Sequence, residues 1–75
     1  VIMTKTYKMD SFLDVQTLNE QAKKCPATVT VFDANHSWAD AKSLLGLMSL
    51  LYAEPIRITC DTDDFFHRLP FKEVA

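Results

Sequence analysis

The chain is predicted to fold as an α+β open-faced sandwich: a four-stranded antiparallel sheet with helices on one face and a shortened C-terminal helix. Three observations predict it. Met3, Lys5, Tyr7 and Met9 alternate with Thr4, Thr6 and Lys8, and Ile56, Ile58 and Cys60 alternate with Arg57 and Thr59, which is the two-residue period of a half-buried strand. Between them, "DSFLDVQTLNEQAKK" carries Phe12, Val15, Leu18 and Ala22 at helical spacing. Finally, the β-branched run "ATVTVF" is followed at once by the turn residues "DANH".

The first strand covers residues 3–9, with Lys5 an awkward member of its inner face. The first helix is opened by Asp10 or Ser11 as N-cap with Asp14 in its first turn, closed by Lys23 and Lys24 against the helix dipole, and stopped by Pro26. The second strand then reverses through "DANH" into a short third strand around Ser37 to Ala39, with Asn35 the residue expected to take positive φ. The segment "LLGLMSLLYAE" reads as a second helix ended by Pro55, with Leu47, Leu50 and Leu51 facing the sheet and Leu44, Leu45 and Met48 projecting elsewhere. Gly46 costs that helix ~1 kcal/mol relative to alanine, so the close approach of another backbone is expected there. After "IRITC", the tail supports a turn or two of helix from Asp63 to Leu69 before Pro70. Its Phe65, Phe66, Leu69 and Phe71 are available to cover the sheet or its edge.

Seventy-five residues with 48% hydrophobic side chains and a single glycine are expected to form one domain, residues 1–75. The net charge of −2 gives no electrostatic basis for binding nucleic acid or an anionic membrane. The apolar run from Leu44 to Ala53 is about half the ~20 residues of a membrane span, and no signal-peptide pattern precedes it, so a cytoplasmic protein is expected. Cys25 and Cys60 are then expected to be reduced core thiols. With His36 and His67 they match no zinc spacing, and neither a metal nor a cofactor is expected.

The element order and the segment "AKSLLGLMSL", followed by "IRITC", resemble HPr, the phosphocarrier family of the bacterial sugar phosphotransferase system. The hairpin before that segment matches in length, and "KTYKM" resembles the family's first strand. The resemblance covers about residues 3 to 62 and is strongest between Val29 and Cys60. Where the family carries its catalytic histidine, followed after one residue by arginine and proline, this chain reads "KMDSFLDVQ" through a shorter loop. No histidine precedes His36, no arginine precedes Arg57 and no proline precedes Pro26. Imidazole phosphoryl transfer needs an exposed ring nitrogen at a helix N-terminus with a cation nearby, and this segment has neither.

Ser43 matches the serine that a dedicated protein kinase phosphorylates in the family, and it stands as a natural N-cap for the apolar helix. The positions matching Leu44, Leu45 and Met48 form the family's apolar contact with partner proteins, a role that flexible methionine suits. The resemblance therefore implies a non-catalytic, regulatory HPr-like binding protein, switched at Ser43, whose protein partners are an HPr-type kinase or a transcriptional regulator. Two alternatives stand beside it. One is a degenerate phosphocarrier loaded at His36 or His67, and the other is a structural homodimer that buries the apolar helix and tail against a second copy.

Overall fold

The computed structural model describes residues 1–74. Its elements run β1 (Met3–Tyr7), α1 (Phe12–Lys24), β2 (Thr30–Phe32), β3 (Trp38–Asp40), α2 (Leu44–Met48), β4 (Ile56–Cys60) and α3 (Asp63–His67). The four strands form one sheet in the order β1-β4-β2-β3, with every pairing antiparallel. The last strand therefore lies inside the sheet, between the first and the second.

The two-residue period decides which face each side chain serves. Met3, Tyr7, Ile56, Ile58, Cys60, Val31 and Ala39 turn inward and join Val15, Leu18, Ala22, Leu47, Leu50, Phe65 and Phe66 of the helical layer in one hydrophobic cluster. The opposite face carries Thr4, Thr6, Thr30, Thr59, Arg57, Phe32, Trp38 and Asp40, all exposed or half-exposed. On that face the Arg57 guanidinium lies 5.3 Å from the centre of the Phe32 ring, capping apolar surface with a charge. Lys5 points toward the helical layer but stays at the β1 edge, where its ammonium meets Asp63 and Glu73, each at 3.8 Å, and the Phe66 ring at 5.5 Å. Its stem packs while its charge remains wet.

The tail covers the β1 edge as expected. Phe65, Phe66 and Leu69 are buried and Phe71 packs against the core, Tyr7 and Glu73 form a bridge, and the Val74 N–H donates to the Thr6 carbonyl at 2.7 Å. An edge strand with paired backbone groups is a poor template for a second chain.

Four local expectations need correction. His36, not Asn35, has positive φ, at 66°. Asp33 and Ser37 pair through their backbones, leaving a three-residue loop whose last residue takes the left-handed conformation. Ser11 occupies the N-cap position of α1, yet its hydroxyl accepts no cap hydrogen bond. Instead the Asp14 carboxylate reaches back to accept from the Asp10 N–H at 2.8 Å. Phe12, expected on the buried stripe, is 49% exposed, because it lines an open groove instead of the core. The second helix stops at Met48, well short of Glu54, and Leu51 is exposed. Its ending has a chemical cause: Ser49 Oγ donates to the Gly46 carbonyl, Tyr52 Oη donates to the Leu47 carbonyl, and the Leu51 N–H donates to Asp33. With those carbonyls and that N–H taken, the next helical turn has no partners.

No helix among the described residues is long and apolar enough to cross a membrane.

Candidate functional site

Ser43 is exposed and caps α2, its hydroxyl accepting from the Gly46 N–H at 3.1 Å. The cap bond and the Leu47 N–H to Ser43 carbonyl bond (3.0 Å) close the first turn at both ends. Gly46 sits in tight packing inside the chain. A Cβ there would stand 3.2 Å from the Ala39 Cβ and 3.3 Å from the Ser43 hydroxyl, so α2 lies close on β3 and the close neighbour is a side chain, not another backbone.

On this short helix the apolar residues divide. Leu47 is fully buried, Leu44 packs partly on the core, and Leu45 and Met48 are exposed at 81% and 54%. Leu44 therefore backs the surface and Leu45 and Met48 form it. Met48 also lines a groove of about 430 Å³ with Phe12 and Val15 of α1, Met9 and Ser11 of the preceding loop, and Tyr52 after α2. Lys8 anchors the groove by donating from Nζ to the Tyr52 carbonyl at 3.1 Å, which joins the two loops. Leu13 and Leu51 are also exposed apolar residues on the same two segments. Phe12, Leu13, Leu51 and Tyr52 went unread as site residues in the sequence, although the adjacent Phe12-Leu13 pair is one apolar residue more than a single buried stripe needs.

Beneath the patch, Asp33 fixes where α2 ends. Its side chain is 1% exposed, and its carboxylate accepts from the N–H groups of Asn35 (2.9 Å), Ser37 (3.0 Å) and Leu51 (3.0 Å). The Leu51 bond, ahead of the two turn bonds, holds the Asp33 carboxyl below its ordinary range, outweighing desolvation. Burial, and then the Asp33 charge, push the Tyr52 phenol up to about 12, so it remains a donor to the Leu47 carbonyl at any physiological pH.

At the start of α1 the charged groups are carboxylates. Asp14 occupies the Asp10 N–H, and Asp10 itself lines the groove. Ser11 lies beside them, its hydroxyl making no cap bond. Neither histidine reaches the groove: His36 sits in the hairpin loop, and His67 is held by Asp63 at 2.8 Å on α3. Among the described residues no group of histidine, cysteine and carboxylate side chains is placed to hold a metal ion.

No protein-family model and no curated protein matches this chain. Among solved structures it is similar to the crystal structure of a phosphocarrier protein HPr from Bacillus anthracis str. Ames, with a TM-score of 0.72 and 19% sequence identity over 89% of this chain and 87% of that one. The fold is HPr-like.

Proposed function

From this HPr-like fold we infer a non-catalytic regulatory protein of the bacterial cytoplasm, a single domain that binds protein partners related to the phosphotransferase system through the α1–α2 groove and is switched at Ser43. The observation that carries this reading is a groove lined by exposed Phe12 and Met48, with Leu13, Leu45 and Leu51 also exposed on the same two segments, and an exposed serine at the head of the same short helix. A partner inserting an apolar side chain between Phe12 and Met48 would bury both. Phosphate on Ser43 adds about −1.5 to −2 of charge, and the five residues of α2 put it within roughly 10 Å of Met48. Charge at the rim of an apolar contact changes which partner fits. The phosphate oxygens can accept from the Gly46 N–H as the hydroxyl does, so modification leaves the helix start intact.

Carrier chemistry is not supported at the N-terminus of α1. A phosphoryl group arriving there would meet the Asp10 and Asp14 carboxylates with no histidine to receive it.

The test is intact mass and phosphopeptide mapping after incubation with an HPr-type kinase, ATP and magnesium, beside a reaction with phosphoenolpyruvate and the first enzyme of the phosphotransferase system. Acid-stable phosphate on Ser43 in the first reaction alone is expected, and it should vanish in Ser43→Ala. Acid-labile phosphate in the second reaction, or phosphate that persists in the alanine variant, overturns the reading.

A further inference from the structure

The sheet has two outer edges, and the tail covers one of them, β1. β3, at the other end of the order β1-β4-β2-β3, has no strand outside it among the described residues. Two backbone bonds fix which of its residues turn inward: Asp33 N–H to the Ser37 carbonyl and Ala41 N–H to the Val29 carbonyl, both 2.9 Å. Antiparallel pairs alternate between bonded and unbonded, so Val31–Ala39 is the bonded pair between them, while Phe32–Trp38 and Thr30–Asp40 are unbonded. The N–H and C=O groups of Trp38 and Asp40 therefore point out of the sheet. The Asp40 carbonyl accepts from the Ser43 N–H at 2.9 Å. No turn, loop or side-chain bond among the described residues occupies the Trp38 N–H, the Trp38 carbonyl or the Asp40 N–H. The edge is short, so it can pair with only about three residues of another chain, and its side chains must choose which.

We propose that the β3 edge docks an extended basic segment of a partner protein, added antiparallel as a fifth strand with Arg or Lys side chains opposite Trp38 and Asp40. Those two residues stand on the open face of the sheet, two positions apart, which is also the spacing of same-face residues on an added strand. Trp38 is 66% exposed, and the Asp40 carboxylate, which accepts from the Lys42 N–H at 2.9 Å, makes no ion pair among the described residues. An aromatic face and a carboxylate both attract a cation. The sheet already uses that chemistry one strand further in, where Arg57 lies over Phe32 in the same cross-strand row as Trp38. Arg57 itself is three strand spacings, roughly 14 Å, from an added strand, beyond the reach of unscreened repulsion. A second copy of β3 fits less well, because antiparallel pairing about Ala39 sets each Asp40 carboxylate against the negative face of a Trp38 ring. The residue between the two cations falls opposite Ala39, toward the helical layer, and is apolar. None of residues 37–40 lines the α1–α2 groove, so the proposal is independent of what the groove binds.

Trp38 is the single tryptophan of the chain, so its fluorescence reports directly on this edge. The full chain is titrated with three synthetic peptides: alternating arginine and valine, alternating glutamate and valine, and the first peptide N-methylated at its arginines, whose N–H groups would face the edge. The first is expected to give a saturable change in Trp38 emission and to slow amide exchange at Trp38 and Asp40, and the other two to do neither. Asp40→Asn should weaken the arginine peptide about two- to fivefold. No saturable change, an equal response to the glutamate or the N-methylated peptide, or exchange protection at the groove instead of at β3 overturns the proposal. So does concentration-dependent protection of Trp38 and Asp40 in the chain alone, which would assign the edge to a second copy. The wild-type titrations decide by themselves, so an unfolded variant would not obscure them.

Discussion

Asp33 joins two segments that the sequence keeps apart. Its carboxylate holds the hairpin through Asn35 and Ser37 and ends α2 through Leu51. Because its folded-state pKa lies below the ordinary 3.8, its contribution is complete above about pH 4 and disappears as pH falls through the unfolded value toward the folded one. Urea midpoints measured at pH 7 and pH 3 should show this loss, and Asp33→Asn should lower the neutral midpoint while removing most of the acid dependence. Tyr52 behaves in the opposite sense. Its raised folded pKa means that stability is lost as pH climbs from 10 toward about 12. Tyr52→Phe should flatten that alkaline loss and cost about 1 kcal/mol at neutral pH for the missing bond to the Leu47 carbonyl. "DANH" is readable as a turn, but the bond from Asp33 to Leu51 spans 18 residues and leaves no local pattern. For the same reason the positive φ at His36 was misplaced: only the Asp33–Ser37 pairing reveals which loop residue must turn left-handed.

At the scale of the element, α2 is the informative case. Its apolar excess was legible in the sequence, and its division only in part: Leu47 and Leu50 are buried and Leu45 and Met48 exposed as expected, whereas Leu51 is exposed and Leu44 packs on the core, and the helix ends early because ordinary side-chain donors take over its last carbonyls. Leu47→Ala, at a fully buried position, should cost ~2–5 kcal/mol in chemical denaturation. Leu45→Ala, at an 81% exposed position, should stay within about 0.5 kcal/mol of wild type and show its effect only on partner binding. Ser43→Ala should cost ~1 kcal/mol through the lost cap, so a much larger drop would mean that the serine carries more than its bond to Gly46. Gly46→Val should be destabilising by ~1–3 kcal/mol, since added methyl groups have only the 3.2 Å gap to Ala39 to enter. In the α1 segment, Val15, Leu18 and Ala22 follow the expected stripe, while Phe12 departs from it because helical spacing does not reveal that an open groove lies over that end of the helix.

In the whole molecule, the layer arrangement was legible because the strand period and the helix period each name a buried face, and the two sets meet in one cluster. The grouping of Phe12 with Met48 was not, since it depends on how the loop after β1 and the loop after α2 are tied together by Lys8. The tail belongs to the same scale. Removing residues 70–75 should strip Phe71 and the Glu73 bridge from Tyr7, lower the melting temperature and promote association through the freed β1 edge, measurable by light scattering during a thermal ramp.

The order β1-β4-β2-β3 also sets when this protein can fold. β1 and β2 are both paired to β4, whose residues Ile56–Cys60 are made after the other three strands and after α1 and α2. A growing chain on the ribosome can form α1 and the β2–β3 hairpin early, yet β1 has no strand partner until β4 has emerged. Closure then joins residues far apart in sequence, which slows folding relative to a helical bundle of equal size. Any chain halted before Ile56 would expose two unpaired strand edges, and it is at that stage of synthesis, not in the finished fold, that this small domain is most open to aggregation and proteolysis.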